Sequence, residues 1–165
     1  MVLTKTPICN FGEKANFFKL KGTEGKIHSL ENHLGKNGLL IMFICNHCPY
    51  VKAVIKDIVN DCRLMEKEGL KSIAIMSNDT KNYPEDSFEN MIAFSKKHEF
   101  TFPYLIDETQ EVAKKYGAVC TPDFFGYNNK LKLQYRGRIK ELKDLKPVNN
   151  SESDLLKAMR LVVKT

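Results

Sequence analysis

An unbroken apolar run at residues 38–44 leads almost directly into an amphipathic pattern at 49–67, and this junction sets the fold class. The run lacks the polar alternation of a half-exposed strand, which is typical of a strand buried on both faces. In the next segment apolar residues recur at spacings of three and four, which predicts a helix with one buried face. A buried strand joined to such a helix is the basic unit of a sheet covered by helices.

The rest of the chain continues this alternation. The pattern predicts strands at 70–76 and 101–106, helices at 84–98 and 109–116, a hairpin of 124–127 with 131–136, and a last helix at 151–163. Upstream, 15–20 and 26–30 flank a glycine-containing turn and predict an N-terminal hairpin. We therefore expect a single α/β domain over residues 1–165, with a mixed central β-sheet flanked by helices and an N-terminal β-hairpin extension.

The chain is basic, with 26 lysines and arginines against 20 acidic residues and a formal net charge of +6. The lysines are spread along the chain with carboxylates between them, and no arginine-rich block occurs. This distribution is typical of a solvated surface, so no nucleic-acid partner is expected. No apolar stretch approaches the roughly 20 residues that span a bilayer, so no membrane association is expected either.

Five cysteines are present, at Cys9, Cys45, Cys48, Cys62 and Cys120. Structural disulfide frameworks belong mainly to short secreted chains, and the N-terminal segment lacks the apolar core of a signal peptide. We expect a cytoplasmic protein whose cysteines are mostly thiols, any disulfide being catalytic or regulatory.

Two of these cysteines, Cys45 and Cys48, lie at the junction between the buried strand and the helix. The positive end of a helix and its unpaired N–H groups stabilise a thiolate and lower its pKa. We expect Cys45 to be exposed and to attack, and Cys48 to be more buried and to resolve the mixed disulfide. His47, when protonated, would stabilise the Cys45 thiolate, although a solvent-facing turn residue is the alternative.

Other uses of a Cys-x-x-Cys pair are less consistent with the sequence. A structural zinc site needs a second closely spaced ligand pair, which Cys9, Cys62 and Cys120 do not supply. Covalent haem attachment needs histidine directly after the second cysteine, where Pro49 stands. The pattern therefore favours a redox dithiol without a cofactor or a resident metal.

The segment FICNHCPYV at residues 43–51, together with Thr121-Pro122 before a later strand, resembles the thioredoxin superfamily. Within it, the chain is most similar to the alkyl hydroperoxide reductase/thiol-specific antioxidant branch, which is peroxiredoxin-like. The resemblance implies a cis Pro122, with the Thr121 backbone facing the Cys45 sulfur. It also brings Cys120 near the dithiol, as an alternative disulfide partner, a third soft metal ligand or a small buried residue.

The catalytic residues implied by the motif and the resemblance together are Cys45, Cys48, His47, Thr121, Pro122 and Cys120. Relatives hold the thiolate with an arginine, which here would be Arg136 or Arg138 if these residues do not simply form a surface turn. The chain departs from peroxiredoxins, because Ile41 and Cys45 stand where their motif has proline and threonine. It also lacks the tryptophan and the Gly-Pro pair of thioredoxins.

These observations predict a thiol–disulfide oxidoreductase that cycles a Cys45–Cys48 dithiol and disulfide. Its expected partners are protein or small-molecule disulfides and a thiol reductant such as thioredoxin or glutathione. The alternative is a thiol-dependent peroxidase of peroxiredoxin type that acts on peroxides. A second alternative is a copper-binding thioredoxin-fold protein, because soft thiolates suit Cu(I).

Overall fold

The computed structural model describes residues 9–165, so residues 1–8 of the predicted domain lie outside it. The strands are β1 (Lys19–Gly22), β2 (Ile27–Ser29), β3 (Gly38–Phe43), β4 (Leu70–Met76), β5 (Tyr104–Ile106), β6 (Asp123–Tyr127), β7 (Leu133–Gly137), β8 (Leu142–Lys143) and β9 (Lys146–Pro147). The α-helices are α1 (Pro49–Lys67), α2 (Phe88–Lys97), α3 (Glu111–Tyr116) and α4 (Asp154–Val162). Within the described range, no helix is both long and apolar enough to cross a membrane.

Seven strands form one mixed sheet in the order β2-β1-β5-β4-β3-β6-β7. β3, β4 and β5 run parallel, whereas β6 pairs antiparallel with β3. The N-terminal hairpin of β1 and β2 continues the sheet, because β1 pairs antiparallel with β5. The predicted thioredoxin-like sandwich, with its mixed sheet and N-terminal hairpin, is confirmed.

Alternate residues of β3 enter two apolar cores, one on each face of the sheet. Leu40 and Met42 pack with apolar residues of α1, α2 and α4. Leu39, Ile41 and Phe43 belong to the opposite core, which α3 covers. All six residues of the strand are buried, as the unbroken apolar run predicts. The loop after β3 therefore begins at the end of a strand that is packed on both faces.

The second helix starts later than the sequence predicts. Pro84–Asp86 form a separate turn of 3-10 helix, and α2 begins at Phe88. The cause is Ser87, whose hydroxyl caps α2 by accepting the N–H of Asn90 at 3.2 Å. The side chain of Asp86 is therefore not part of the first turn of α2.

Two further differences concern the strands. The first strand begins at Lys19 rather than at residue 15, and the sequence does not predict the short pair of β8 and β9. Strands of two residues carry no periodic pattern, so the sequence gives no signal for them.

Candidate active site

The two cysteines of the motif lie where the chain passes from the sheet to α1. Cys45 lies in the loop that leaves β3, and Cys48 is the N-cap residue of α1, with Pro49 in the first helical position. Proline is well suited to that position, because the missing N–H would have no partner within the helix. Both sulfurs therefore lie beside the N-terminus of a long helix, as predicted.

The expected exposure of Cys45 is wrong, because both cysteines are buried and Cys45 is the more buried. Cys45 is 1% exposed and Cys48 is 7% exposed. The loop after β3 is covered by the segment that carries Thr121, which contacts both sulfurs. Both cysteines line the cleft described below.

Thr121 bridges the two thiols, but not as the resemblance implies. Its Oγ1 lies 3.5 Å from the Cys45 sulfur, whereas its backbone carbonyl accepts the thiol of Cys48 at 3.4 Å. The backbone of Thr121 thus faces Cys48, and its side chain faces Cys45. The Thr121–Pro122 peptide bond is cis, as the resemblance implies.

The dithiol ionises as a coupled pair. Sharing one proton between the two sulfurs lowers the first pKa of the pair, helped by the N–H groups of Val51 and Tyr50 at the start of α1. The same sharing and burial raise the second pKa of the pair. The reduced pair therefore carries one negative charge and keeps one proton between its sulfurs at a pH below the ordinary pKa of a cysteine thiol.

We expect the thiolate absorbance of the reduced protein to rise with an inflection below the ordinary pKa of a cysteine thiol, because the first pKa of the pair is lowered. The first folded pKa lies below the unfolded one, so the first ionisation adds stability as the pH rises towards the unfolded pKa. That stability is lost as the pH falls through the folded pKa, and the disulfide form lacks this dependence. Ultraviolet titration and chemical denaturation of both forms measure the two effects.

The matched control for this titration is Cys62→Ser. Burial raises the pKa of Cys62 to about 12, so its thiol does not ionise in the range measured. The variant should keep the lowered inflection. An inflection near pH 9 alone in the unmodified protein would contradict the prediction.

A carboxylate that the sequence analysis does not single out organises this loop. Asp86 is fully buried and accepts four hydrogen bonds: from the N–H of Asn46 at 2.7 Å, the N–H of His47 at 3.3 Å, His47 Nδ1 at 2.6 Å and Asn78 Nδ2 at 2.9 Å. An acidic residue just before a helix is typical of helix capping, so the sequence offered no signal for this role.

His47 is held by two partners rather than turned freely towards solvent. Its Nδ1 binds Asp86, and its ring stacks on Tyr83 with centroids 5.0 Å apart. A ring nitrogen of His47, a carboxylate oxygen of Asp86 and the Cys45 sulfur all lie within 4.8 Å of one another. The structure therefore brings His47 and Cys45 together, as the sequence predicts, and adds Asp86.

This group contains metal-ligand residue types, but its hydrogen bonds do not fit a metal site. A carboxylate offers about four lone-pair positions, and Asp86 already uses them on four donors. A metal on Asp86 would have to displace the backbone N–H groups or the His47 ring. Cys120, the third thiol expected nearby, lines the same cleft but is not a member of the group.

Arg136 does not hold the thiolate, and it does not lie in a surface turn. Its side chain is 6% exposed and pairs with Asp123 at 2.8 Å, donates to the Gly117 carbonyl at 2.8 Å, and lies over the Phe125 ring. Arg138 is 60% exposed and pairs with Asp154 at 3.1 Å. The buried pair of Arg136 and Asp123 therefore supports the start of β6, directly after Pro122.

A cleft of about 1000 Å³ opens beside the dithiol. Its walls include Phe43, Cys45, His47, Cys48, Tyr50, Val54, Tyr83, Val119, Cys120, Thr121, Pro122, Ile139 and Leu142. The lysines and the arginine that line it are Lys114, Arg138 and Lys140, and Lys140 is paired with Asp57 at 2.7 Å. The two sulfurs therefore lie in the wall of a largely apolar cleft.

Together with the sheet topology, this site is that of a thioredoxin-fold thiol protein. The family model for the AhpC/TSA family matches residues 11–141. The chain therefore belongs to the AhpC/TSA family.

Solved structures agree with this assignment. An uncharacterized conserved protein from Geobacillus kaustophilus is 37% identical, with a TM-score of 0.86 over 98% of this chain and 88% of that chain. A hypothetical protein from Sinorhizobium meliloti is 34% identical, with a TM-score of 0.88 over 96% of this chain and 86% of that chain. A secreted disulfide oxidoreductase from Mycobacterium tuberculosis shares the fold at 13% identity, with a TM-score of 0.65 over 90% of this chain and 96% of that chain. Comparison with curated proteins finds no significant match.

Proposed function

We propose that this protein is a thiol–disulfide oxidoreductase that cycles between a Cys45–Cys48 dithiol and a disulfide. The observation that carries the proposal is the placement of two thiols against one residue, Thr121, at the N-terminus of α1 and at the wall of a cleft. Membership of the AhpC/TSA family, shown by the match over residues 11–141, is consistent with this chemistry.

In the reductive direction, the Cys45 sulfur attacks one sulfur of the substrate disulfide. The substrate S–S bond breaks, and its other sulfur leaves with the bonding electron pair and takes a proton. The Cys48 thiolate then attacks Cys45 and releases the second substrate thiol. Two electrons pass from the dithiol to the substrate, and a thiol reductant such as thioredoxin or glutathione restores the dithiol.

Membership of the AhpC/TSA family favours one alternative, a thiol-dependent peroxidase. There the thiolate attacks a peroxide oxygen, a sulfenic acid forms on one cysteine, and the second cysteine condenses with it and releases water. Ile41 and Cys45 replace the proline and threonine of the peroxiredoxin motif, and these substitutions support disulfide exchange as the leading proposal.

The deciding experiment exposes the reduced protein to oxidised glutathione or to hydrogen peroxide at equal concentrations, and follows formation of the Cys45–Cys48 disulfide by mass spectrometry. We expect oxidation by the disulfide to be faster, and the Cys45–Cys48 couple to fall between roughly −270 and −120 mV. Faster oxidation by peroxide, with turnover supported by a thiol reductant, would replace the proposal with the peroxidase.

A further inference from the structure

Asp86 places a negative charge beside the dithiol. One of its carboxylate oxygens lies within 4.8 Å of the Cys45 sulfur, and its side chain is fully buried. Three of its four hydrogen bonds come from groups that can only donate, namely the backbone N–H groups of Asn46 and His47 and the amide of Asn78. These bonds fit the ionised carboxylate. At such a distance inside a protein, two negative charges repel each other strongly.

Asp86 is held in this position from two sides. Ser87 caps α2 and leaves Asp86 outside the first turn of that helix. On the other side, Asn46 is fixed by the Tyr104 hydroxyl at 2.9 Å, and its own amide donates to the Glu85 carbonyl at 3.1 Å. Moving the carboxylate away from the sulfurs would therefore break several buried hydrogen bonds.

The charge of Asp86 acts on only one of the two redox forms. The reduced pair carries a thiolate, whereas the disulfide is neutral, so a nearby negative charge destabilises the reduced form alone. The positive end of α1 has the opposite effect, since it stabilises the thiolate. In addition, the N–H groups of Asn46 and His47 are bound to Asp86 rather than to a sulfur.

We propose that Asp86 lowers the reduction potential of the Cys45–Cys48 couple and so favours electron transfer from this protein to its disulfide substrate. The inference rests on the proposed function and adds the direction of electron flow. The equilibrium that reports it is reduced protein plus oxidised glutathione giving the Cys45–Cys48 disulfide plus two glutathione thiols. Two electrons pass to the glutathione sulfurs, which take up two protons from the protein thiols and the solvent.

His47 can oppose the charge of Asp86. Its Nδ1 lies 2.6 Å from an Asp86 oxygen, so a protonated ring would neutralise the carboxylate. Tyr104 reaches the same loop from β5, but burial raises its pKa and keeps it neutral. Burial also raises the pKa of Cys120, in the wall of the cleft. The effect of Asp86 must therefore be measured with and without the imidazole.

The test compares Asp86→Asn with the unmodified protein in the full chain. Asparagine has nearly the shape of aspartate and keeps an oxygen for the backbone N–H groups, so the substitution removes mainly the charge. The readouts are the glutathione equilibrium, followed by mass spectrometry, and ultraviolet titration of the thiolate in the reduced protein. We expect the equilibrium constant for disulfide formation at neutral pH to fall roughly tenfold or more, at about 30 mV per tenfold. The thiolate inflection should move to lower pH.

The matched control is Asp107→Asn. Asp107 is also buried and also accepts two backbone N–H groups, those at the start of α3. It is not part of the group that Asp86 forms with Cys45, so both readouts should stay unchanged. Circular dichroism checks the folding of each variant. If Asp86→Asn fails to fold, Asp86→Ser removes the same charge and keeps a hydroxyl acceptor, with the same expected result.

Repeating Asp86→Asn in a His47→Gln background completes the test, and the inference predicts a fall in both backgrounds. A fall confined to His47→Gln would overturn it, because the imidazole would then cancel the charge in the native protein. No fall in either background, or an equal fall in Asp107→Asn, would also overturn it. Failure of the proposed function looks different: the unmodified protein would form no Cys45–Cys48 disulfide with glutathione, while Asp86→Asn would still shift the thiolate inflection.

Discussion

Replacing Cys45 with serine should lower disulfide turnover by at least about a thousandfold, because a hydroxyl cannot replace a thiolate as nucleophile at neutral pH. Replacing Cys48 should stop turnover equally, but for another reason. Without the resolving thiol, the mixed disulfide between Cys45 and the substrate persists. Mass spectrometry of each variant after one addition of substrate should find the adduct on Cys45 of Cys48→Ser.

The control for these variants is Cys62→Ser, which removes a buried thiol of α1 outside the cleft and should keep full turnover. Two outcomes contradict the assignment in different ways. A trapped adduct on Cys48 in Cys45→Ser would make Cys48 the attacking thiol. Full exchange in both single variants would place the redox centre elsewhere.

Arg136→Met should lower the free energy of unfolding by about 3–5 kcal/mol, the usual cost of breaking a buried ion pair by removing one partner. The substitution leaves the Asp123 carboxyl buried without its partner. Burial already raises the pKa of Asp123 and Arg136 opposes that rise, so the folded pKa rises further in the variant. An acid with a raised folded pKa destabilises the protein as the pH rises above its unfolded pKa, so the loss should shrink in acid.

Denaturant unfolding at neutral and acid pH measures this effect. The matched control is Arg138, two residues further along the chain. Arg138→Met removes the same side chain at an exposed position and should cost less than about 1 kcal/mol. The double variant with Asp123→Asn should regain part of the stability. Equal losses for Arg136→Met and Arg138→Met would contradict the buried ion pair.

The junction of β3 and α1 is predictable from sequence because its signals are local. The apolar run of residues 38–44 and the periodicity of 49–67 each report on one element, and Pro49 marks the start of the helix. The resemblance carried by Thr121-Pro122 then places a distant segment beside the dithiol. The fold class and the position of the two cysteines at the strand–helix junction can therefore be predicted from the sequence.

The parts of the site that the sequence analysis misses depend on contacts between distant segments. Asp86 meets His47 across 39 positions of the chain, and before α2 it looks like an ordinary capping residue. Arg136 pairs with Asp123 across a strand register that no periodicity reports. The burial of Cys45 likewise depends on Thr121, far along the chain. Short-range patterns contain no information on such pairings.

The pairing of β3 with β6 has a consequence for how this protein tolerates change. Phe43, the last residue of β3, is the register partner of Asp123, the first residue of β6. The loop with Cys45 and Cys48 therefore leaves the sheet beside the point where the Thr121 segment enters it. One residue inserted into either strand would shift this register and move Thr121 away from the two cysteines. The turn between β8 and β9 belongs to a separate two-stranded sheet, so residues inserted there would leave the pairing of Phe43 with Asp123 unchanged.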